Sequence, residues 1–198
     1  MYNKNPALAS LLSARICHDL ANPLGAISNG MELMELAGAT RTPEFDLTAD
    51  SIQNANAKLN FFRTAFGTSH GSDVSATQIA KVLADVYLNT RCQVEWTIPT
   101  PTTRADTKVV FLLILCLESA MPRGGKITIS SSDNGTTLTA QGTKLNCANA
   151  NWDHLSGHQE NANLSPSEVH FELARLALND TSKTMQLSHS NDHVVIQI

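Results

Sequence analysis

From Leu12 onward, apolar residues recur at intervals of three or four: Leu12, Ile16, Leu20, Leu24, Ile27, Met31 and Met34. That spacing is one face of an α-helix, and it persists for about six turns, twice the length of an average globular helix. "AGATRTPEF" at 37–45 then brings a glycine and a proline that break the pattern. A second stripe follows in Ile52, Ala55, Leu59, Phe62 and Phe66, closed by Gly67 and the polar "TSHGSD". Two long helices joined by a short loop make a helical hairpin. A hairpin leaves an apolar face open on each helix, and the economical remedy is a twofold partner. The expectation is a homodimer whose two hairpins form a four-helix bundle, with Ile16 and Leu20 packed inward.

Beyond residue 72 the pattern changes to short alternating helices and strands. Ser75 with Gln78 is a capping box ahead of a helix near 76–88. "CQVEWTI" at 92–98 alternates like a strand, and Asp106 is a good N-cap for "TKVVFLLILCLESA", a helix buried on most sides. "KITISSS" and "TTLTAQG" flank "DNG" at 133–135, a hairpin signal because Asn-Gly tolerates the positive φ of a type I′ turn. Ser165, Pro166 and Glu168 form a second capping box opening a helix near 166–179, and "TMQLSHSNDHVVIQI" reads as two strands around a Ser-Asn-Asp turn. The class is α+β, with helices on one face of a mixed sheet. The boundary falls near 68–74, giving a helical hairpin over 1–68 and a mixed domain over 74–198.

Several functions are excluded early. A net charge of −4 argues against nucleic acid or an anionic membrane as the main partner, and 5% aromatics leave few platforms for stacking bases. The N-terminus lacks the pattern of a signal peptide, and the longest apolar run, "VVFLLILCL", is too short to span a bilayer. Cys17, Cys92, Cys116 and Cys147 stand far apart without a CxxC pair, which favours free thiols in a reducing cytoplasm.

One string stands out in the first helix: "RICHDLANP" at 15–23. Successive helical residues turn by about 100°, so His18 lies about 200° from both Ile16 and Leu20. Arg15, Asn22, Gly25, Asn29 and Glu32 share its side at intervals of three or four, forming a polar ribbon with His18 exposed in it. A phosphoryl-accepting histidine needs a neutral, outward imidazole whose other ring nitrogen is held by an acceptor. Asp19 can supply that carboxylate, and Asn22, one turn on, can line the site. Pro23 lacks an N–H, so the Asp19 carbonyl loses its helical partner and the helix should bend there. Arg15 can meet a phosphoryl oxygen or an acidic partner, and Gly25 can admit a partner's close approach.

"HDLANPL" resembles the H-box of two-component histidine kinases. The wider stretch "SARICHDLANPLGAISNGMELM" resembles the ChpT-type histidine phosphotransferases of alphaproteobacteria, and "MPRGGKITIS" with the final helix and hairpin extends the resemblance weakly along the chain. The resemblance implies a dimeric hairpin bearing the phosphohistidine, followed by a degenerate kinase ATPase domain, a Bergerat-like α/β sandwich. In a kinase of this architecture an asparagine holds magnesium; here Ser119 stands at that position, beside Glu118. The Asp-x-Gly-x-Gly pattern is absent, and the lid-like "ANANWDHLSGHQENANLSP" has a single glycine.

The function expected is therefore a phosphorelay histidine phosphotransferase without ATP binding and without a cofactor of its own. Catalytic roles fall to His18, Asp19 and Asn22, and partner binding to Arg15, Gly25, Asn29 and Glu32. The partners are receiver domains, a hybrid kinase's as donor and a response regulator's as acceptor, each bringing its own Mg2+. The alternatives are an ATP-dependent histidine kinase with divergent nucleotide boxes, a receiver-binding scaffold, and a receiver phosphatase. His154 and His158 have metal-compatible spacing but no third ligand, and are read as solvated surface residues. Trp96 and Trp152 are read as packing residues, and Cys17 as packing toward the dimer core.

Overall fold

The computed structural model describes residues 6–132, 135–158 and 164–198. The centre of the expected hairpin turn at 133–134 and part of the lid-like segment, 159–163, lie outside the described residues. The chain divides into two compact units, one ending at Thr68 and the other beginning at Ser69.

The first unit is two helices, α1 (Pro6–Leu36) and α2 (Pro43–Ala65). α1 runs through Pro23 without interruption. Thr42 caps α2, its hydroxyl accepting from the Phe45 N–H, with Pro43 in the first turn and Glu44 and Asp46 against the positive helix end. At the other end the Phe66 N–H donates to the Phe62 carbonyl, and Gly67 is required because a Cβ there would run into the Arg63 carbonyl.

The face that α1 buries differs from the sequence expectation. Ser10 and Cys17 are buried, and Ala14, Ala21, Leu24, Ser28 and Met31 continue that line at alternating intervals of four and three. On α2 the buried residues are Ala57, Leu59, Phe61 and Ala65. Ile16 and Leu20 do not pack inward within one chain: they are 50% and 49% exposed, and Leu12, Ile27 and Met34 are exposed with them. The reason is geometric. A two-helix seam is one narrow line, and residues 16 and 20 sit about 100° and 60° round the helix from Cys17. The apolar stripe is therefore two rows, one spent inside the hairpin and one left open.

The second unit starts with α3 (Ala76–Tyr87), whose Ser75–Gln78 capping box is formed in both directions, followed by β1 (Cys92–Trp96). α4 (Arg104–Ala120) begins three residues earlier than the Asp106 cap implies. Thr103 is the cap: its hydroxyl accepts from the Asp106 N–H and donates to the Asp106 carboxylate, so Asp106 serves as the reciprocal third residue. β2 (Gly125–Ser132) and β3 (Gly135–Gly142) precede α5 (Ala150–Leu155). A 3-10 turn at Pro166–Glu168 leads into α6 (Val169–Asp180), with β4 (Gln186–His189) and β5 (His193–Gln197) at the end. Glu168 closes the second capping box, accepting from both the N–H and the hydroxyl of Ser165.

The five strands lie in the order β1-β2-β3-β5-β4, with β1 parallel to β2 and every other pair antiparallel. The parallel pair demands a crossover, and α4 supplies it. Paired across the sheet, Trp96, Ile129, Leu138, Ile196 and Leu187 form one row and Val94, Ile127, Ala140 and Val194 the next. Their central members are buried while Thr128, Ser130, Thr137 and Thr139 between them are partly exposed, so the helices lie on one side only. α4 packs on α6, and Val109–Ile114, Cys116 and Leu117 are all buried.

His154 overturns its surface reading. It is 1% exposed, and its Nε2 lies 2.6 Å from Glu172 Oε2, which also accepts from Arg175 Nε at 2.9 Å. Asn149 caps the six-residue α5 so that Trp152, His154 and Leu155 turn inward, and Gly157, at φ +78°, sends the chain away before His158. His158 is exposed, so the two histidines never share a helix face. Trp152 is buried edge-on against Phe171, and all four cysteines are buried and free.

Candidate functional site

The site stands on α1, about 100° round the helix from the packed Cys17 and opposite the open row of Ile16 and Leu20. The His18 side chain is 69% exposed, Asp19 49% and Arg15 73%. His18 Nδ1 lies 3.2 Å from Asp19 Oδ1, and Arg15 Nε donates to the other oxygen, Oδ2, at 2.8 Å. The bond from His18, and then the pairing with Arg15, hold the Asp19 carboxyl below its ordinary range. Asp19 is therefore ionised near neutral pH and can only accept, so in the neutral imidazole the proton sits on Nδ1. Nε2 is left with its lone pair on a mostly exposed ring. That is the electronic arrangement of a nucleophile, with a carboxylate placed to take up positive charge as Nε2 reacts.

Cys17, the residue before, does not compete. Its side chain is buried in the hairpin seam, and burial raises the thiol above its usual pKa despite the opposing Arg63 charge.

The remaining candidates are spread along the ribbon. Asn22 is exposed one turn on, and Gly25 follows at two turns, where an added Cβ meets nothing within 4 Å. Asn29 and Glu32 are exposed, about 16 Å and 21 Å along the axis from His18 at 1.5 Å per residue. Among the described residues, Asp19 meets His18 and Arg15 meets Asp19; Asn29 and Glu32 are placed for something that lies along the helix. Sequence reasoning paired Arg15 with phosphoryl or a partner and overlooked Asp19, although their i,i+4 spacing signalled it. It also overlooked Leu11, 59% exposed and seven residues before His18 on the same side.

In the second unit, Ser119 donates to the Cys116 carbonyl and Glu118 accepts from the Tyr87 hydroxyl at 3.0 Å. Burial first, then the Glu118 charge, push that hydroxyl far above its ordinary pKa. Among the described residues no three His, Cys, Asp or Glu side chains are grouped to hold a metal, and no helix is long and apolar enough to cross a membrane.

Comparison with known proteins bears on both units. Residues 76–193 match the family described as the histidine phosphotransferase C-terminal domain. The chain is 33% identical over 147 residues to the protein phosphotransferase ChpT of Brucella abortus (strain 2308), covering 70% of this chain and 69% of that protein. A solved bacterial phosphotransferase, 21% identical, shares the fold with a TM-score of 0.69 over 99% of this chain and 96% of its own. The chain belongs to the histidine phosphotransferase family, and it is a phosphorelay histidine phosphotransferase.

Proposed function

We propose that His18 is the residue that carries the phosphoryl group, received from an aspartyl phosphate on one receiver domain and given to the aspartate of another. The observation that supports this is the Nδ1–Asp19 contact on an exposed imidazole, which leaves Nε2 as the nucleophile. In the step, the Nε2 lone pair attacks phosphorus in line, the N–P bond forms, and the P–O bond to the donor carboxylate breaks. The carboxylate leaves with the bonding pair, and the imidazole becomes a phosphorylated cation whose Nδ1 proton stays on Asp19's side. The reverse step charges the acceptor. Energetically the exchange of a carboxyl phosphate for a phosphoramidate is nearly balanced, so one site serves both directions. Rate then depends on positioning and charge rather than on driving force.

Asn22 lines the phosphoryl position, while Arg15, Gly25, Asn29 and Glu32 form the surface on which a receiver lies. Gly25 supports this because space stands open above it on the same side as His18. The chain binds no ATP and no cofactor of its own; the receiver brings Mg2+. A second copy covers the open row of Leu12, Ile16, Leu20, Ile27 and Met34, giving a homodimeric four-helix bundle, since a contiguous exposed apolar row of this size is an association surface. The hairpin, residues 1–68, is the transfer and dimerisation domain, and 74–198 is an ATPase-like domain without its substrate. Four buried free thiols and receiver partners fit a cytoplasmic protein.

The test is transfer from a radiolabelled phosphoreceiver. Label on the wild-type chain and none on His18→Ala supports the assignment; equal label on both removes His18 from it. Incubation with labelled ATP alone should leave the chain unlabelled, and self-labelling would make it a kinase.

A further inference from the structure

We propose that Arg15 is a positioning residue for phosphotransfer: it acts through Asp19, holding that carboxylate in the rotamer that presents Oδ1 to His18. The inference rests on the reading of His18 as acceptor. Its basis is the division of one carboxylate between two donors, Arg15 Nε on Oδ2 at 2.8 Å and His18 Nδ1 on Oδ1 at 3.2 Å.

Asp19 is half exposed, and its side-chain hydrogen bonds among the described residues are these two. A carboxylate held by a single donor at one oxygen still turns about χ2. With a donor on each oxygen the plane is set, and Oδ1 stays on the imidazole. The pair does little for the helix itself. It is exposed on both sides, and exposed ion pairs contribute little to stability. Its order, base before acid at i,i+4, is also the weaker one in a helix. What the contact does is geometric, and its beneficiary is the histidine tautomer. If the carboxylate swings away, Nδ1–H loses its acceptor and the imidazole redistributes its proton between the two nitrogens. Fewer molecules then offer an Nε2 lone pair. A lysine in place of Arg15 can reach Oδ2 as a point charge but cannot match the planar fork, so it should restore only part of the effect.

The experiment uses the full chain, with a phosphorylated receiver as donor, in wild type, Arg15→Ala, Arg15→Lys, Asp19→Ala, the Arg15→Ala/Asp19→Ala double variant and His18→Ala. For Arg15→Ala the single-turnover rate at saturating receiver should fall roughly tenfold, as expected for a misplaced catalytic group. The half-saturating receiver concentration should change by less than the rate does, since Gly25, Asn29 and Glu32 still carry the receiver. In 15N spectra of the unphosphorylated chain, the His18 signals should shift away from the Nδ1–H tautomer, with Arg15→Lys intermediate in both readouts. Added to Asp19→Ala, Arg15→Ala should cost nothing further, because residues acting through one another are not additive. The proposal is overturned if Arg15→Ala changes only the half-saturating concentration while the tautomer holds, which would make Arg15 a docking contact and nothing more. Additive losses in the double variant would overturn it too. Equal label on His18→Ala and wild type would strike the acceptor assignment instead; the tautomer measurement needs no receiver and still judges Arg15.

Discussion

His18 Nδ1 meets Asp19 Oδ1 at 3.2 Å, although consecutive helical side chains leave the axis about 100° apart. Both are exposed and short, and the carboxylate is pulled to the ribbon side from its other oxygen by Arg15, one turn earlier. Three residues within five positions of one helix thus meet at a single carboxylate.

Replacement of Asp19 by Asn keeps the shape and removes the charge. The amide can present either an acceptor or a donor to Nδ1, so the tautomer is no longer dictated and the developing imidazolium is not stabilised. Phosphotransfer to His18 should fall by about 10²-fold, the lower range for loss of an acid–base partner. Receiver affinity, measured by titration calorimetry, should be unchanged.

In the proposed homodimer the open apolar row is the surface that a second copy covers. Sedimentation of the wild-type protein at micromolar concentration should give twice the 21.4 kDa chain mass. Leu20→Glu, at a site half exposed in the single chain, should leave helix content intact and shift the mass toward one chain. A wild type that sediments as one chain contradicts the bundle.

The His154–Glu172–Arg175 group bolts α5 to α6 in the interior. His154→Ala removes a buried ring and leaves the largely enclosed Glu172 carboxylate with Arg175 in place of two partners. Chemical denaturation should show a loss of about 2–4 kcal/mol. Phosphate transfer by the fraction still folded should be normal, since the group lies in the unit that does not bear His18.

His170 makes stability depend on pH. Burial, opposed in part by the Glu168 charge, lowers its pKa from the ordinary 6.5, and its Nε2 has no hydrogen-bond partner among the described residues. The unfolded chain therefore takes up this proton at a higher pH than the folded one. Stability should fall as pH drops through the ordinary histidine value toward the lowered one. The urea midpoint should be lower at about pH 5.5 than at about pH 7.5, with a smaller difference in His170→Asn.

The two long helices, the capping boxes at Ser75 and Ser165, and the exposure of His18 were legible in the sequence because each depends on local spacing. A 3.6-residue period, a serine three residues before a glutamine or glutamate, and a polar ribbon about 200° from an apolar row are properties of a single segment. Arg15 and Asp19 were equally local, and their pairing was written in the i,i+4 spacing. Asp106 was misassigned as a cap because Thr103 and Asp106 both suit that role; the helix start selects between them.

Tertiary structure alone decided the rest. Which of two adjacent apolar rows on α1 is buried depends on where α2 lies, so Cys17 is enclosed and Ile16 is not. His154 looked solvated because its partner, Glu172, stands eighteen residues away on another helix, and no local pattern announces such a pair. By itself the sequence determined the Arg15–Asp19–His18 arrangement, since about one helix turn contains it. Burial and strand order are set by contacts between distant segments, and only the folded chain reveals which segments meet.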